Sequence, residues 1–218
     1  MFDIIYAGIY IMFKCTCALV VLCLCLVIVL DRNYGWVSMF TSHSKIDRRR
    51  YPVVGSMENA DHAADMLAKL NRANVSLIKY MKKKYQNTQF NEHVERLARR
   101  YNPDVLGEHI PLGKRNTSYV TNKGQKIRFC LRPESDRDTI HDWNILMFVS
   151  LHEISHIMNT GQGHEKDFWA IFKFILGNAV EIGIYKPKDY SLSPVEYCNL
   201  TVVYNPLYDR SMPNVPIN

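Results

Sequence analysis

The sequence lacks the signatures of several large enzyme classes. It has no glycine-rich phosphate-binding loop, no dinucleotide fingerprint and no serine-based triad pattern. Cysteines are also scarce beyond the first 30 residues, where only Cys130 and Cys198 occur. Two cysteines do not make a disulfide framework, so a small fold held together mainly by disulfides is excluded.

The remaining cysteines lie in an apolar N-terminal stretch: Cys15, Cys17, Cys23 and Cys25. We interpret these four as small hydrophobic residues or palmitoylation sites. For Cys130 and Cys198 a single bridge is the alternative, but we expect two free thiols.

A strong charge of one sign is missing as well. The formal net charge is +6 over 218 residues, which permits an acidic partner such as nucleic acid but does not require one. Basic residues concentrate between residues 79 and 100. We interpret this stretch as a solvated helical face, with a nucleic-acid or phospholipid surface as the alternative.

Residues 4–30 are almost entirely apolar, and Lys14 is their only charged side chain. A helix of this length would span about 40 Å, more than the roughly 30 Å of a hydrocarbon core. We therefore predict a transmembrane anchor within residues 1–31, with the spanning part at 11–31. A cleaved signal peptide is the alternative, although the stretch is long and ends without small residues.

Basic residues are more frequent after this stretch than before it. Arg32, Lys45 and residues 48–50 follow it, which predicts a single-pass membrane protein with its folded part in the cytosol. Glycosylation sequons would suit the opposite orientation, but about two are expected by chance. The chain has three, beginning at Asn74, Asn116 and Asn199.

The rest of the chain predicts an α+β domain at residues 56–218, behind a linker at 32–55 that shows no periodicity. Apolar residues recur at helical spacing in four stretches, 57–86, 90–101, 143–158 and 165–182. Residues 118–121 and 127–131 favour two strands around the turn Asn122-Lys123-Gly124. Residues 189–206 have a loop-like composition.

The third predicted helix carries His152-Glu153-x-x-His156. Residues four apart project from the same face of a helix, so both imidazoles can bind one metal ion. Glu153 would then lie where a carboxylate can accept a proton from water, which is the arrangement of zinc hydrolases. Zinc in such sites needs a third protein ligand. His164, which follows a glycine-containing turn, is the preferred candidate, and Glu181 in the next helix is the alternative.

Two motifs together resemble those of a known family: His152-Glu153-x-x-His156 and Gly163-His164-x-x-x-Phe168-Trp169. They resemble WLM and SprT-like zinc metallopeptidases, and shorter stretches at 117–132 and 194–198 are similar to WLM-like proteins of large DNA viruses. The resemblance covers residues 51–206. It implies a zincin-like fold with an active-site helix, a small antiparallel sheet and flanking helices, and a Zn²⁺ ion bound by His152, His156 and His164.

The function expected from these features is that of a membrane-anchored zinc endopeptidase. Glu153 would be its general base, and Tyr190 or Tyr197 would donate to the oxyanion. In the resembled enzymes an edge strand above the metal pairs with the extended peptide substrate. Two alternatives remain: a catalytically inactive, metal-stabilised interaction module at a membrane, and a protease that acts on nucleic-acid-bound proteins. The sequence does not predict the oligomeric state.

Overall fold

The computed structural model describes residues 19–23, 25, 39–54, 57–111 and 117–213. The chain divides into two compact units, Met1–Ser38 and Met39–Asn218. In the first unit, residues 19–23 are helical and exposed. Most of the predicted span at 11–31 lies outside the described residues, and none of the helices that are described is long and apolar enough to cross a membrane. The anchor therefore stays a prediction.

Four helices dominate the described part of the second unit. They are α1 (Met57–Tyr85), α2 (Asn91–Arg100), α3 (Trp143–Met158) and α4 (Lys166–Glu181). The helical periodicity predicted each of them to within one residue at either end. In α1 the apolar stripe is completely buried at Leu67, Leu70 and Leu77, so this helix contributes one side of the core.

Short strands complete the unit: β1 (Met39–His43), β2 (Arg50–Val54), β3 (Leu106–Glu108), β4 (Tyr119–Thr121), β5 (Lys126–Phe129), β6 (Val195–Tyr197) and β7 (Leu200–Val202). The largest sheet has the order β3-β5-β4. Strand β5 is antiparallel to β4 but parallel to β3. The fold is therefore mixed α/β, and the prediction of an antiparallel sheet was right for the β4–β5 hairpin and wrong for β3.

The hairpin turn between β4 and β5 requires glycine at position 124. Gly124 has φ +118°, and a Cβ atom there would lie 2.6 Å from the carbonyl oxygen of Arg100. The two residues before it, Asn122 and Lys123, also adopt positive φ angles. The turn that the sequence predicted is thus pressed against the end of α2, which fixes β4 relative to the helices.

The prediction of a linker at residues 32–55 was wrong for residues 39–54. These residues form the antiparallel hairpin β1–β2, in which Thr41 pairs with Pro52. Tyr51 and Val53 are buried in the core, and β1 packs against α1 through Ser42, whose hydroxyl donates to Asp61 at 2.7 Å. Pro52 is accommodated in β2 because β1 and β2 form a two-stranded sheet, in which each strand has an outer side that is unpaired among the described strands.

A buried ion pair joins the hairpin to the larger sheet. Arg132 Nε donates to Glu108 Oε1 at 2.7 Å, and the side chains are 4% and 1% exposed. The other carboxylate oxygen of Glu108 accepts the amide of Val54 at 2.7 Å, at the end of β2. Removing one partner would leave an uncompensated buried charge, which typically costs about 3–5 kcal/mol.

Cys130 and Cys198 form a disulfide, so the prediction of free thiols was wrong. The pairing arises because residues 195–202, predicted as a loop, fold into the antiparallel hairpin β6–β7. Cys198 lies at the turn of this hairpin and reaches Cys130, which directly follows β5. The disulfide therefore fastens the β6–β7 hairpin to the central strand of the sheet across a sequence separation of 68 residues.

The disulfide is expected to stabilise the folded chain. A bridge that closes a loop of this length contributes about 2–4 kcal/mol, mainly by restricting the unfolded chain. The double substitution of Cys130 and Cys198 by serine should lower the free energy of unfolding by that amount, measured by urea denaturation without reductant. Adding reductant should destabilise the wild type and leave the double variant unchanged; equal sensitivity of both would contradict the bridge.

Candidate metal centre

Helix α3 is buried around nearly its whole circumference. Every residue from Ile145 to Met158 is buried except His152 and His156, which are partly exposed. The sequence suggested an amphipathic helix, but α1, α2, α4 and β4 all pack against it. The two histidines thus mark the single stripe along which α3 meets a cavity.

Both ends of α3 are capped by side chains. Asp142 accepts the amide of Asn144 at the N-terminus, at 2.8 Å. At the C-terminus, Arg96 donates to the carbonyl of Met158 at 3.2 Å and Arg100 to that of Ile157 at 3.3 Å. These guanidinium groups satisfy helix-end carbonyls and complement the helix dipole. Part of the basic stretch at 79–100 therefore has a structural role.

The loop after α3 turns His164 back over the helix. Asn159 Oδ1 accepts the amide of Gly161 at 3.2 Å, and Lys123 donates to the carbonyl of Gly161. Gly163 has φ +72°, a conformation that favours glycine. His164 Nε2 consequently lies 2.9 Å from His152 Nε2 and 3.1 Å from His156 Nε2. We call His152, His156 and His164 the three-histidine cluster.

Phe168 supports the cluster from below. Its ring is fully buried and stacks on His156 at a centroid distance of 4.3 Å. It also forms edge-to-face contacts with His152 and His164, at centroid distances of 4.8 Å and 4.7 Å. His164 lies two residues before α4 and Phe168 lies in the first turn of α4, so the start of this helix brings together the third imidazole and the apolar ring on which all three imidazoles rest.

The cluster fits a metal ion better than a set of hydrogen bonds. Burial lowers the pKa of His152 well below its ordinary value, that of His156 to about 4 and that of His164 as well, so the imidazoles are neutral. A neutral imidazole has one N–H, which cannot satisfy three mutually facing Nε2 atoms. In tetrahedral zinc sites the ligand nitrogens lie about 3.3 Å apart, as Zn–N distances of roughly 2.0–2.1 Å dictate. The cluster is close to that arrangement.

Glu153 is the buried carboxyl of the site. Its side chain is almost inaccessible, and burial raises its pKa to about 8 because no countercharge compensates. Glu153 nevertheless lines both cavities that border the cluster. A cation bound next to it would favour the carboxylate and bring the pKa down. Such a group is suited to exchange protons near neutral pH.

Two cavities open beside the cluster. The first, here the apolar cavity, has a volume of about 530 Å³ and lies between α3, α4 and residues 197–204. The second, here the polar cavity, has about 620 Å³ and lies between β4 and the loop at 162–164. Since His152, Glu153 and His164 line both, the cluster sits in the middle of one continuous cleft.

The structure separates the two tyrosines predicted as oxyanion donors. Tyr197 lines the apolar cavity, but its hydroxyl donates to the carbonyl of Cys130 at 2.8 Å and contacts Ser118 Oγ at 2.6 Å. Tyr190 is 1% exposed and packs edge-on against Phe148 in the core at 4.8 Å. The structure therefore does not bring Tyr190 to the cluster, and Tyr197 would have to give up the Cys130 carbonyl to act as a donor.

Glu181 is not near the three-histidine cluster. It is the last residue of α4, whereas His164 precedes the first, so about 24 Å of helix separates them. Its carboxylate forms an ion pair with Lys84. The ammonium group of Lys84 also donates a hydrogen bond to Asn178 Oδ1 at 3.3 Å. The alternative in which Glu181 is the third ligand is therefore wrong, because α4 runs away from the site.

Two neighbours of the site were not recognised in the sequence. Lys123, at the hairpin turn, lines the polar cavity. Burial is the main cause of the lowered pKa of His156, and the charge of Lys123 adds to it. Ser118 lines both cavities, and its Oγ accepts a hydrogen bond from the backbone N–H of Cys130 at 3.0 Å. Both lie in a hairpin far from the histidines in sequence, so only the tertiary fold reveals them.

The three-histidine cluster is expected to bind one zinc ion per chain. His164→Ala should lose this zinc because two imidazoles remain, whereas Glu181→Ala should retain it. Zinc per chain is measured by atomic emission after dialysis of the purified chain. Loss of zinc in Glu181→Ala with retention in His164→Ala would contradict the assignment.

Without metal, the titrations of the site oppose one another. The pKa values of His152 and His156 are lower in the folded chain than in the unfolded chain. As the pH falls below about 6.5, the unfolded chain therefore binds protons at these histidines before the folded chain does, and the free energy of unfolding decreases. The raised pKa of Glu153 means that the folded chain keeps a proton which the unfolded chain releases above about 4.5. This group therefore adds stability as the pH falls from 8.

Glu153→Gln should remove the second effect alone. Between pH 7 and 5 the metal-free variant should lose about 2 kcal/mol more free energy of unfolding than the metal-free wild type. Urea denaturation at both pH values in the presence of a chelator measures the difference. Parallel pH dependence of the two proteins would show that Glu153 is not held in its protonated form.

Comparison with known proteins places the chain in a family. Among curated relatives, a protein of Acanthamoeba polyphaga mimivirus is 32% identical over 160 residues, which cover 73% of this chain and 80% of the relative. A protein of Invertebrate iridescent virus 6 is 36% identical over 85 residues, covering 38% of this chain and 47% of the relative. Both names describe uncharacterised proteins.

Among solved structures, Wss1 from Saccharomyces cerevisiae matches with a TM-score of 0.43 and 21% sequence identity, over 60% of this chain and 86% of that one. The model of the WLM domain matches residues 47–194, which include α1 to α4 and the three-histidine cluster. This confirms the resemblance inferred from the two histidine motifs. Since the match covers more than half of the 218-residue chain, the chain belongs to the WLM domain family.

Proposed function

We propose that the chain is a zinc-dependent endopeptidase. Membership of the WLM domain family supports a zinc metallopeptidase-like function. The observation that carries the finer proposal is the convergence of three imidazoles beside a buried glutamate, at the centre of a cleft open on two sides. A cleft that continues past the reacting position suits an internal peptide bond, because the chain extends on both sides of it.

Each group of the site has a distinct task in this proposal. His152, His156 and His164 bind the zinc ion through Nε2 and keep it at the cleft. Zinc, when bound, supplies Lewis acidity towards water and towards the peptide carbonyl. The carboxylate of Glu153 accepts a proton from the attacking water and delivers it to the amide nitrogen, which leaves as an amine.

Strand β4 is a candidate for binding the peptide main chain. It is at the edge of the sheet order β3-β5-β4, and its outer side is unpaired among the described strands. Tyr119 and Val120 of β4 line the polar cavity together with Glu153. An extended peptide could therefore add to this edge as a further strand, with main-chain hydrogen bonds providing affinity.

The chain is further proposed to be attached to a membrane through residues 11–31. The basic residues after that stretch favour a cytosolic domain, whereas the disulfide favours an oxidising compartment, since cytosolic thiols are kept reduced. The sequon at Asn74 does not add to the second argument. Asn74 is completely buried and donates to Ser150 Oγ at 2.8 Å, so it is inaccessible to glycosylation.

Glu153→Gln should abolish peptide hydrolysis while leaving zinc bound. The amide keeps the shape of the side chain but cannot accept the proton, and loss of a general base typically lowers the rate about 10²–10⁴-fold. Cleavage of a denatured protein substrate by the zinc-loaded full-length chain is followed by mass spectrometry. Glu165→Gln, an exposed carboxylate beside the site, is the matched control and should cleave like the wild type.

Three outcomes separate the possible functions. Undiminished turnover in Glu153→Gln would remove Glu153 as the base. A zinc-loaded wild type that cleaves no substrate would favour the inactive interaction module. A wild type that retains no zinc would overturn the enzymatic proposal altogether.

A further inference from the structure

The cleft is chemically asymmetric about the three-histidine cluster. Away from the cluster, the apolar cavity is lined largely by aliphatic and aromatic side chains: Phe148, Val149, Trp169, Phe172, Leu200 and Val202. The polar cavity presents amides and a cation instead: Asn122, Lys123 and Gln162. A peptide lying across the cluster would therefore place its side chains in two different environments.

Three separate elements supply the apolar side chains of the apolar cavity. Helix α3 contributes Phe148, and α4 contributes Phe172, whose ring lies 5.0 Å from that of Phe148. The third side is the β6–β7 hairpin with Leu200 and Val202, which share one face of β7 because they are two residues apart. Trp169 contacts Tyr204, which follows the hairpin, edge-on at 5.1 Å.

The hairpin side of the cavity is held in place. The disulfide joins Cys198 to Cys130, and Tyr197 donates to the carbonyl of the same Cys130. Both attachments connect the hairpin to the end of β5, so Val202 is presented from a fixed support. A cavity with fixed sides can discriminate between side chains by size.

We propose that the apolar cavity is a specificity subsite for a large aliphatic or aromatic side chain of the substrate. This rests on the proposed peptidase function. The occupant is a substrate side chain because His152, Glu153 and His164 line the same cavity, so whatever fills it adjoins the reacting position. The volume of about 530 Å³ lies within the roughly 300–1,000 Å³ of ligand pockets and has room for the largest aromatic side chain.

The substrate preference of the zinc-loaded full-length chain tests the subsite. Blocked peptides that differ by phenylalanine or alanine at one position next to the cleaved bond should differ in kcat/KM by at least about tenfold, since apolar pockets discriminate by roughly 10–200-fold. Val202→Trp should reduce this ratio at least tenfold by filling the cavity. Leu192→Trp is the matched control, because Leu192 is 84% exposed on the same terminal segment and should leave the ratio unchanged.

A binding measurement tests the subsite independently of turnover. In the Glu153→Gln variant, an all-alanine peptide is compared with peptides that carry one phenylalanine at each position in turn, by calorimetric titration. At least one phenylalanine peptide should bind about tenfold more tightly, and adding Val202→Trp should abolish the difference. Equal affinities, or a preference that Val202→Trp leaves intact, would overturn the subsite.

The two proposals fail in distinguishable ways. Cleavage without any preference for large apolar residues would refute the subsite and leave the peptidase function intact. Tight, phenylalanine-dependent binding without cleavage by the wild type would support the subsite and refute turnover.

Discussion

Helix α3 is apolar around most of its circumference, so it is stable only when other elements surround it. Helices α1, α2 and α4 and the edge strand β4 do so, and two arginines of α2 satisfy its last carbonyl groups. The burial leaves one stripe accessible, and that stripe carries His152 and His156. Because α3 cannot shift without disturbing the whole core, the positions of the two imidazoles are set by packing, before any metal binds.

The remaining parts of the site are brought to this helix from distant segments. Phe168 packs beneath all three imidazoles and so couples α4 to α3 at the point where His164 enters. The β4–β5 turn packs against α2 through Gly124, which positions β4 and Lys123 along the polar cavity. The disulfide fixes the β6–β7 hairpin along the apolar cavity. The cleft thus has rigid supports on each side of the three-histidine cluster.

Features encoded locally could be predicted from the sequence, and those that depend on long-range contacts could not. Helix bounds follow from periodicity, and the distance between His152 and His156 follows from helix geometry. Residues 39–54 show no periodicity in the sequence, and their burial depends on packing against α1. The disulfide connects positions 68 residues apart. Glu181 could be rejected as a ligand only when the direction of α4 was known.

We propose that three histidines bind one zinc ion and leave a position free for chemistry. X-ray absorption at the zinc edge of the zinc-loaded chain tests it most directly, because the spectrum reports the ligand atoms and their distances. Three imidazole nitrogens and one light atom from solvent are expected at about 2.0–2.1 Å from the zinc. A sulfur shell near about 2.3 Å, or a site with fewer than three imidazoles, would contradict it.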